Sequence, residues 1–294
     1  MQIHHHQFTA MASPCKFLLQ GDSSLVLNAC QQAEKEVQRI EQKFSRYRGD
    51  SLLQTINSNA GIAAVDIDAE TAGLLNYAQF CHQESDGLFD ISSGILRQVW
   101  NFKSKKLPPQ KTINKLLPLI SWPSIKWNKD SIFLPDKGME IDFGGFGKEY
   151  AADRAAEICQ QLGIKHGLVD LGGDIRVIGD KADQSGWAIG IRNPQDPQNA
   201  ISTIKLHQGA LATSGNYERF MKVKNKHYCH ILKASTGWPV NYWASISILA
   251  PQCLVAGSLA TLTMLAEKKG LAWLEEQEVS FLAIDIHGKQ YSNL

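Results

Sequence analysis

The residues of this chain that could do chemistry fall in a series of short runs, and their types suit a phosphorylated ligand that carries a flat ring. Phe44-Ser45-Arg46-Tyr47-Arg48-Gly49-Asp50-Ser51 sets aromatic, basic and hydroxyl groups side by side at a helix end. Such a set can stack a ring and hydrogen-bond its edge; equally, Arg46 and Arg48 can be solvated cations favoured by the helix dipole. Asp86-Gly87-Leu88-Phe89-Asp90 holds two acids four apart around a glycine, and alone reads as an Asp-Gly turn. In Asp142-Phe143-Gly144-Gly145-Phe146-Gly147-Lys148, glycine amides at a helix start and one cation could cradle a phosphate. The run matches neither GxGxxG nor a P-loop, and a tight structural turn accounts for it as well. Asp170-Leu171-Gly172-Gly173-Asp174 and Ala212-Thr213-Ser214-Gly215-Asn216-Tyr217-Glu218-Arg219 offer hydroxyls and amides for phosphate or ribose, or hairpin turns. His230-Ile231-Leu232-Lys233-Ala234-Ser235-Thr236-Gly237-Trp238-Pro239 adds a histidine, the side chain best suited to proton transfer near neutral pH.

The elements that must position these runs follow from periodicity. An opening strand at 17–19 and a turn at 22–26 precede residues 27–44, where Val37, Ile40 and Phe44 space an amphipathic helix. A second helix is predicted over 69–83. Residues 139–143 read as a strand entering the glycine turn, followed by a helix at 149–162. Strands are predicted on both sides of Gly172-Gly173 and at 187–192, 202–206 and 245–249, and a helix at 256–274. Strands mixed with long helices in this way indicate an α+β fold. The Lys- and Pro-rich stretch 101–123 reads as an exposed insertion, and residues 1–9, with His4, His5 and His6, as a flexible polar terminus.

Composition excludes several function classes. A formal charge of +1 offers no basic field for nucleic acid or an anionic membrane. The six Cys contain no CxxC pair, which argues for buried free thiols rather than a zinc module or a disulfide framework. The N-terminus is not a signal peptide as written, Cys15 is not in a lipoprotein context, and no apolar run approaches ~20 residues. The expected location is cytoplasmic.

Taken in order, these runs resemble the ApbE family, the FAD:protein FMN transferases. The resemblance begins at Ala10-Met11-Ala12-Ser13, includes Trp187-Ala188-Ile189-Gly190-Ile191-Arg192-Asn193-Pro194, and continues through the His230 segment to about residue 274. It implies an ApbE-like two-lobed mixed sheet-and-helix architecture, with residues 10–294 as a single catalytic-type unit. It also implies an enzyme that binds FAD, often with Mg²⁺, and moves FMN to a Ser or Thr hydroxyl of an acceptor flavoprotein, releasing AMP. Two other activities fit the same resemblance: an FAD-binding homologue acting as flavin carrier or partner protein, and an FAD pyrophosphatase.

Residue by residue, the resemblance implies that Met11, Tyr47, Ser51, Asp86 and Asp90 surround the flavin nucleotide, and that Lys148 and the 144–147 turn meet its phosphates. Thr213, Ser214 and Gly215 would line the same cleft, with His230 activating the acceptor hydroxyl. The family holds its metal with a backbone carbonyl, here Gly147, and with an Asp and a Thr four residues apart. This chain has Thr261, but the carboxylate position is Gly257. Mg²⁺ usually needs one or two carboxylates, so the resemblance implies a weakened metal site. Lys233 stands where the family's histidine motif carries Asp; its ammonium is expected near the pyrophosphate, partly replacing the metal.

Overall fold

The computed structural model describes residues 2–104, 106–196 and 198–294. In chain order its first half comprises β1 (Ile3–Ala10), β2 (Ser13–Gln20), α1 (Ser23–Phe44), α2 (Leu52–Ser58), β3 (Val65–Asp66), α3 (Ala69–Glu84), α4 (Gln110–Leu116), β4 (Lys126–Trp127) and β5 (Ser131–Phe133). There follow α5 (Gly147–Gln161), β6 (His166–Leu171), β7 (Asp174–Gly179), β8 (Trp187–Arg192), β9 (Ala200–Leu206), β10 (Ala210–Gly215), β11 (Phe220–Val223) and β12 (Lys226–Cys229). The chain closes with β13 (Trp243–Ala250), α6 (Cys253–Ala266), α7 (Gly270–Glu276), β14 (Ser280–Asp285) and β15 (Gln290–Ser292).

The expected α+β class is what forms. One eight-stranded sheet runs β1-β2-β6-β7-β10-β13-β14-β15, every neighbouring pair antiparallel. Its two faces are covered differently because side chains alternate along each strand. On β10, Ala210 and Ala212 join the main core with α1, α5 and α6, while Leu211 joins a second core under the β8–β9 hairpin. The small residues at 210 and 212 let α6 lie close to the sheet.

Helix α5 carries Ala151, Ala152, Ala155 and Ala156, all buried, so its neighbours also approach closely. Asp153, on the same helix, caps α6. Its carboxylate accepts from the amides of Cys253 (2.9 Å) and Leu254 (2.8 Å), and α6 has no capping side chain of its own. Arg176 of β7 pairs with that carboxylate at 3.2 Å. One acid thus ties two helices and the sheet together.

Several expectations change. Residues 3–10 are not a flexible tail but β1, because alternation along 3–10 lets the strand add to β2 in register, and His6 bonds Glu34 at 2.6 Å. Helix α1 starts at Ser23, earlier than expected, since Asp22 caps it through Ser24 and Leu25. Residues 139–143 are extended but form no ladder. The Asn57 side chain brackets Ile141 instead (2.8 and 3.0 Å), and the Asp142 amide bonds the Ile91 carbonyl. The expected helix at 256–274 breaks into α6 and α7 at Glu267, whose φ is +50°.

Nor is 101–123 an exposed insertion, apart from Lys105, which lies outside the described residues. Its α4 buries Ile113 in a third core with Leu96, Trp100 and Met221, and Trp122 is almost fully buried. Trp100 Nε1 donates to the Gly237 carbonyl at 2.7 Å. A Cβ on Gly237 (φ +70°) would lie 2.4 Å from Ile113, so this turn accepts only glycine. All six cysteines are buried and free. No described helix is long and apolar enough to cross a membrane.

Asp153→Ala removes the α6 cap and leaves Arg176 unpaired, and is expected to cost about 1–3 kcal/mol in chemical denaturation; Asp153→Asn should recover part of that.

Candidate active site

Lys148, in the first turn of α5, reaches across to β7 and pairs with Asp174 at 2.7 Å. Asp174 is 3% exposed. Its other partner is the Thr213 amide on β10 (3.4 Å), so the acid links both strands to the glycine turn before α5. Lys148 also donates to the Gly172 carbonyl at 3.4 Å. Gly172 has φ +64°, and a Cβ there would lie 2.7 Å from Ser13, so the turn between β6 and β7 can close over Lys148 only because residue 172 lacks a side chain.

The electrostatics follow. Burial alone would depress the Lys148 ammonium, but Asp174, Glu149 and Glu218 outweigh it and keep the amine charged. Burial pushes the Glu218 carboxyl up. His230, at the end of the β11–β12 hairpin, has its Nδ1 3.2 Å from the Arg219 carbonyl oxygen. A carbonyl only accepts, so the proton sits on Nδ1 and Nε2 is left as the acceptor nitrogen. Burial, with the charges of Arg219, Lys148 and Arg46, lowers the His230 pKa to about 4. The imidazole is therefore neutral at ordinary pH, with the Nε2 lone pair unprotonated.

Arg46 is drawn into this neighbourhood. Its guanidinium bonds Asp142 at 2.6 Å, the Tyr47 hydroxyl at 3.0 Å, and lies 5.1 Å from the Tyr47 ring centre. Tyr47 itself is 74% exposed, the most open large side chain near the cleft. Such a ring is free to stack on a planar ligand.

The other residues singled out in the sequence divide. Ser214 bonds Thr261 of α6 at 3.0 Å, whereas Thr213, one residue earlier on the strand, points to the opposite sheet face and bonds Ser247 at 2.8 Å. Gly215 ends β10 under the Tyr217 ring, which a Cβ would strike at 2.6 Å. Ser51 is committed to structure: it caps α2 through Gln54 and donates to the Ser45 carbonyl. Asp90 accepts from Ser92 and from the Trp122 amide at 3.0 Å, which holds the 86–90 turn rather than offering a free carboxylate. Asp86 sits at the turn's exposed tip with φ +50°. Met11, with φ +52°, donates its amide to Glu41 at 2.8 Å. Lys233 differs from expectation: its ammonium is engaged by Glu267, whose other oxygen accepts from the Asn241 amide at 2.9 Å. It anchors a loop, and its charge is already matched.

Asp174 and Glu149 are not among the candidate site residues that the sequence singles out. Asp174 lies in a motif that also reads as a hairpin turn, and Glu149 looks like an ordinary acid in a helix's first turn. Glu149 is 8% exposed, and its Oε2 has no hydrogen-bond partner among the described residues. Burial and Asp174 raise its pKa against the pull of Lys148. Gly257 lies against it: a Cβ there would be 2.5 Å from Glu149 Cγ and 2.7 Å from Oε1. Among the described residues no group of three or more His, Cys, Asp or Glu side chains could hold a metal. The Glu149 carboxylate and, one turn past Gly257 on the facing helix, the Thr261 hydroxyl are oxygen donors of the kind a hard divalent cation such as Mg²⁺ takes.

Comparison with known proteins agrees with this architecture. The sequence profile of the ApbE family matches residues 11–283. An FAD:protein FMN transferase of Treponema pallidum (strain Nichols) is 30% identical over 260 residues, covering 82% of this chain and 72% of that protein. Another from Klebsiella pneumoniae (strain 342) is 28% identical over 249 residues, with 82% and 77% covered. The crystal structure of the ApbE protein of Thermotoga maritima superposes with a TM-score of 0.92 at 28% identity, over 99% of this chain and 97% of the other. The flavin transferase ApbE of Vibrio cholerae shares the fold, with a TM-score of 0.87 at 24% identity over 99% and 97% of the two chains. The chain belongs to the ApbE family.

Lys148→Met leaves Asp174 buried without its cation and is expected to cost about 3–5 kcal/mol, seen as a lower midpoint in urea unfolding. Lys233→Ala should instead lower thermal stability modestly while leaving FAD affinity within about twofold, since exposed ion pairs contribute ~0–1 kcal/mol; a fluorescence titration with FAD checks it.

Proposed function

We propose that this chain is an FAD:protein FMN transferase, moving FMN from FAD onto a Ser or Thr hydroxyl of an acceptor flavoprotein and releasing AMP. The observation that carries the reading is a neutral histidine in the electrostatic reach of Lys148, Arg219 and Arg46. A base beside a cluster of cations is what attack on a pyrophosphate by a neutral hydroxyl requires. Membership of the family and relatives of that name support the same conclusion.

In this reading Tyr47 stacks on the flavin, and Met11 and the 86–90 turn border it. Lys148, at the end of the 144–147 turn, faces the phosphates, and Ser214 and Gly215 line the wall opposite; the amides of 144, 146 and 147 are spent within the turn. His230 Nε2 takes the hydroxyl proton. The hydroxyl oxygen bonds to the FMN phosphorus, and the bond from that phosphorus to the bridging oxygen breaks, so the bridging oxygen leaves with AMP. Lys148 and Arg46 offset the charge that grows on the phosphoryl oxygens. A bound Mg²⁺, held by the Gly147 carbonyl and Thr261, would add to that charge neutralisation.

Incubating the protein with FAD and a flavin-accepting domain, and measuring AMP and the acceptor's mass, tests the assignment. Transfer is expected, and AMP release without a labelled acceptor would exclude it. His230→Gln should lower transfer by roughly 10²–10⁴-fold with FAD binding retained. Because the His230 pKa is lowered to about 4, the base stays unprotonated as pH falls through 6.5. The acid limb of kcat/KM that belongs to His230 should lie near pH 4, and a limb near 6.5 that vanishes in His230→Gln would contradict this.

A further inference from the structure

The carboxylate that the family resemblance places at 257 is absent, yet the volume beside Gly257 is not empty. Glu149 fills it from α5. Helices α5 and α6 run antiparallel where they meet: Asp153 bonds the amides at 253 and 254, and one turn back along α5 Glu149 meets Gly257, one turn forward along α6. Thr261 follows Gly257 by four residues, hence on the same face of α6, and its hydroxyl touches Ser214 at 3.0 Å. The Glu149 carboxylate therefore occupies the position from which a residue-257 side chain would project, one helical turn from Thr261.

The carboxylate is bonded by its own backbone amide, and one of its oxygens is left over among the described residues. Lys148, its sequence neighbour, is paired with Asp174. Glu149 Oε2 is buried and has no hydrogen-bond partner among the described residues. An orphaned buried acceptor costs stability, more so on an acid, and its retention calls for a partner. Gly257 in turn is needed: with a Cβ contact of 2.5 Å to Glu149 Cγ, no larger residue fits while Glu149 is present.

We propose that Glu149 is the carboxylate ligand of a divalent-cation site completed by Thr261 and the Gly147 carbonyl, the acid having been relocated from α6 to the facing turn of α5. The metal site is then whole rather than weakened, and Glu149 and Gly257 form one exchangeable unit. The inference rests on the transferase reading only for the use to which the cation is put.

Mn²⁺ serves as the probe, titrated into the full-length protein with and without FAD and followed by electron paramagnetic resonance, with thermal melts alongside. The parent is expected to bind one Mn²⁺, and Glu149→Gln to bind it at least about 10-fold more weakly. Gly257→Asp alone should not tighten binding and should lower the melting temperature, because the new side chain meets Glu149. Glu149→Gly combined with Gly257→Asp should restore both melting temperature and Mn²⁺ affinity to within about threefold of the parent. Glu149→Gln binding Mn²⁺ as tightly as the parent, or a parent that binds none, overturns the proposal; so does a folded double variant without binding, which also decides the matter if Glu149→Gln fails to fold. FMN transfer by the parent is scored separately. Transfer with an unchanged Mn²⁺ affinity in Glu149→Gln would refute the ligand and leave the transferase reading standing.

Discussion

The close approach of α5 and α6 is the constraint on which the rest of the structure depends. Alanines on α5 and a glycine on α6 remove the side chains that would hold the helices apart, and Asp153 replaces the missing cap of α6 with its own carboxylate. Helix ends leave their first amides unsatisfied, so a cap donated from a neighbouring helix fixes axial position as well as distance. From that one contact the relative register of Glu149, Gly257 and Thr261 follows, and with it the floor of the cleft.

The second organising interaction is the Lys148–Asp174 pair. A buried ion pair rarely adds net stability, because desolvation offsets the attraction. What it does here is geometric. Asp174 is held by a strand amide on one side and by the ammonium on the other, so a cation in the first turn of a helix is fixed at the end of the sheet's two central strands. The same charge lowers the pKa of His230, which arrives from a separate hairpin. The cation thus acts on the imidazole without touching it, beside the larger effect of burial.

Much of this was legible in the sequence, and the failures have physical causes. The helices at 69–84 and 147–161 and the hairpins around Gly172 and at 187–206 followed from periodicity and turn residues. The terminal strand did not, because a run of polar histidines resembles a tail until a partner strand is supplied. The stretch at 101–123 misled for a similar reason: its described lysines and all its prolines but Pro108 lie on the outside, and what decides its burial is Trp100 and Ile113 meeting a loop more than a hundred residues away. Family resemblance brought His230, Lys148 and the glycine turns together, but it transfers only positions that match. Glu149 therefore escaped notice, as a residue at an unremarked position, while Gly257 drew attention as a loss. Only the distance between them relates the two. Lys233 shows the converse, since a charge that looked free in the sequence has Glu267 as its partner.

The loop bearing His230 is braced from several directions, by Trp100 on Gly237, Gln110 on Trp238, and Glu267 on Lys233. In the proposed reaction, a base fastened in this way does not adjust to whatever approaches it. The polypeptide that brings the hydroxyl must do the adjusting, and the entropy of ordering that encounter falls on the incoming chain. Discrimination among acceptors then resides in how readily each one's own segment adopts the required shape.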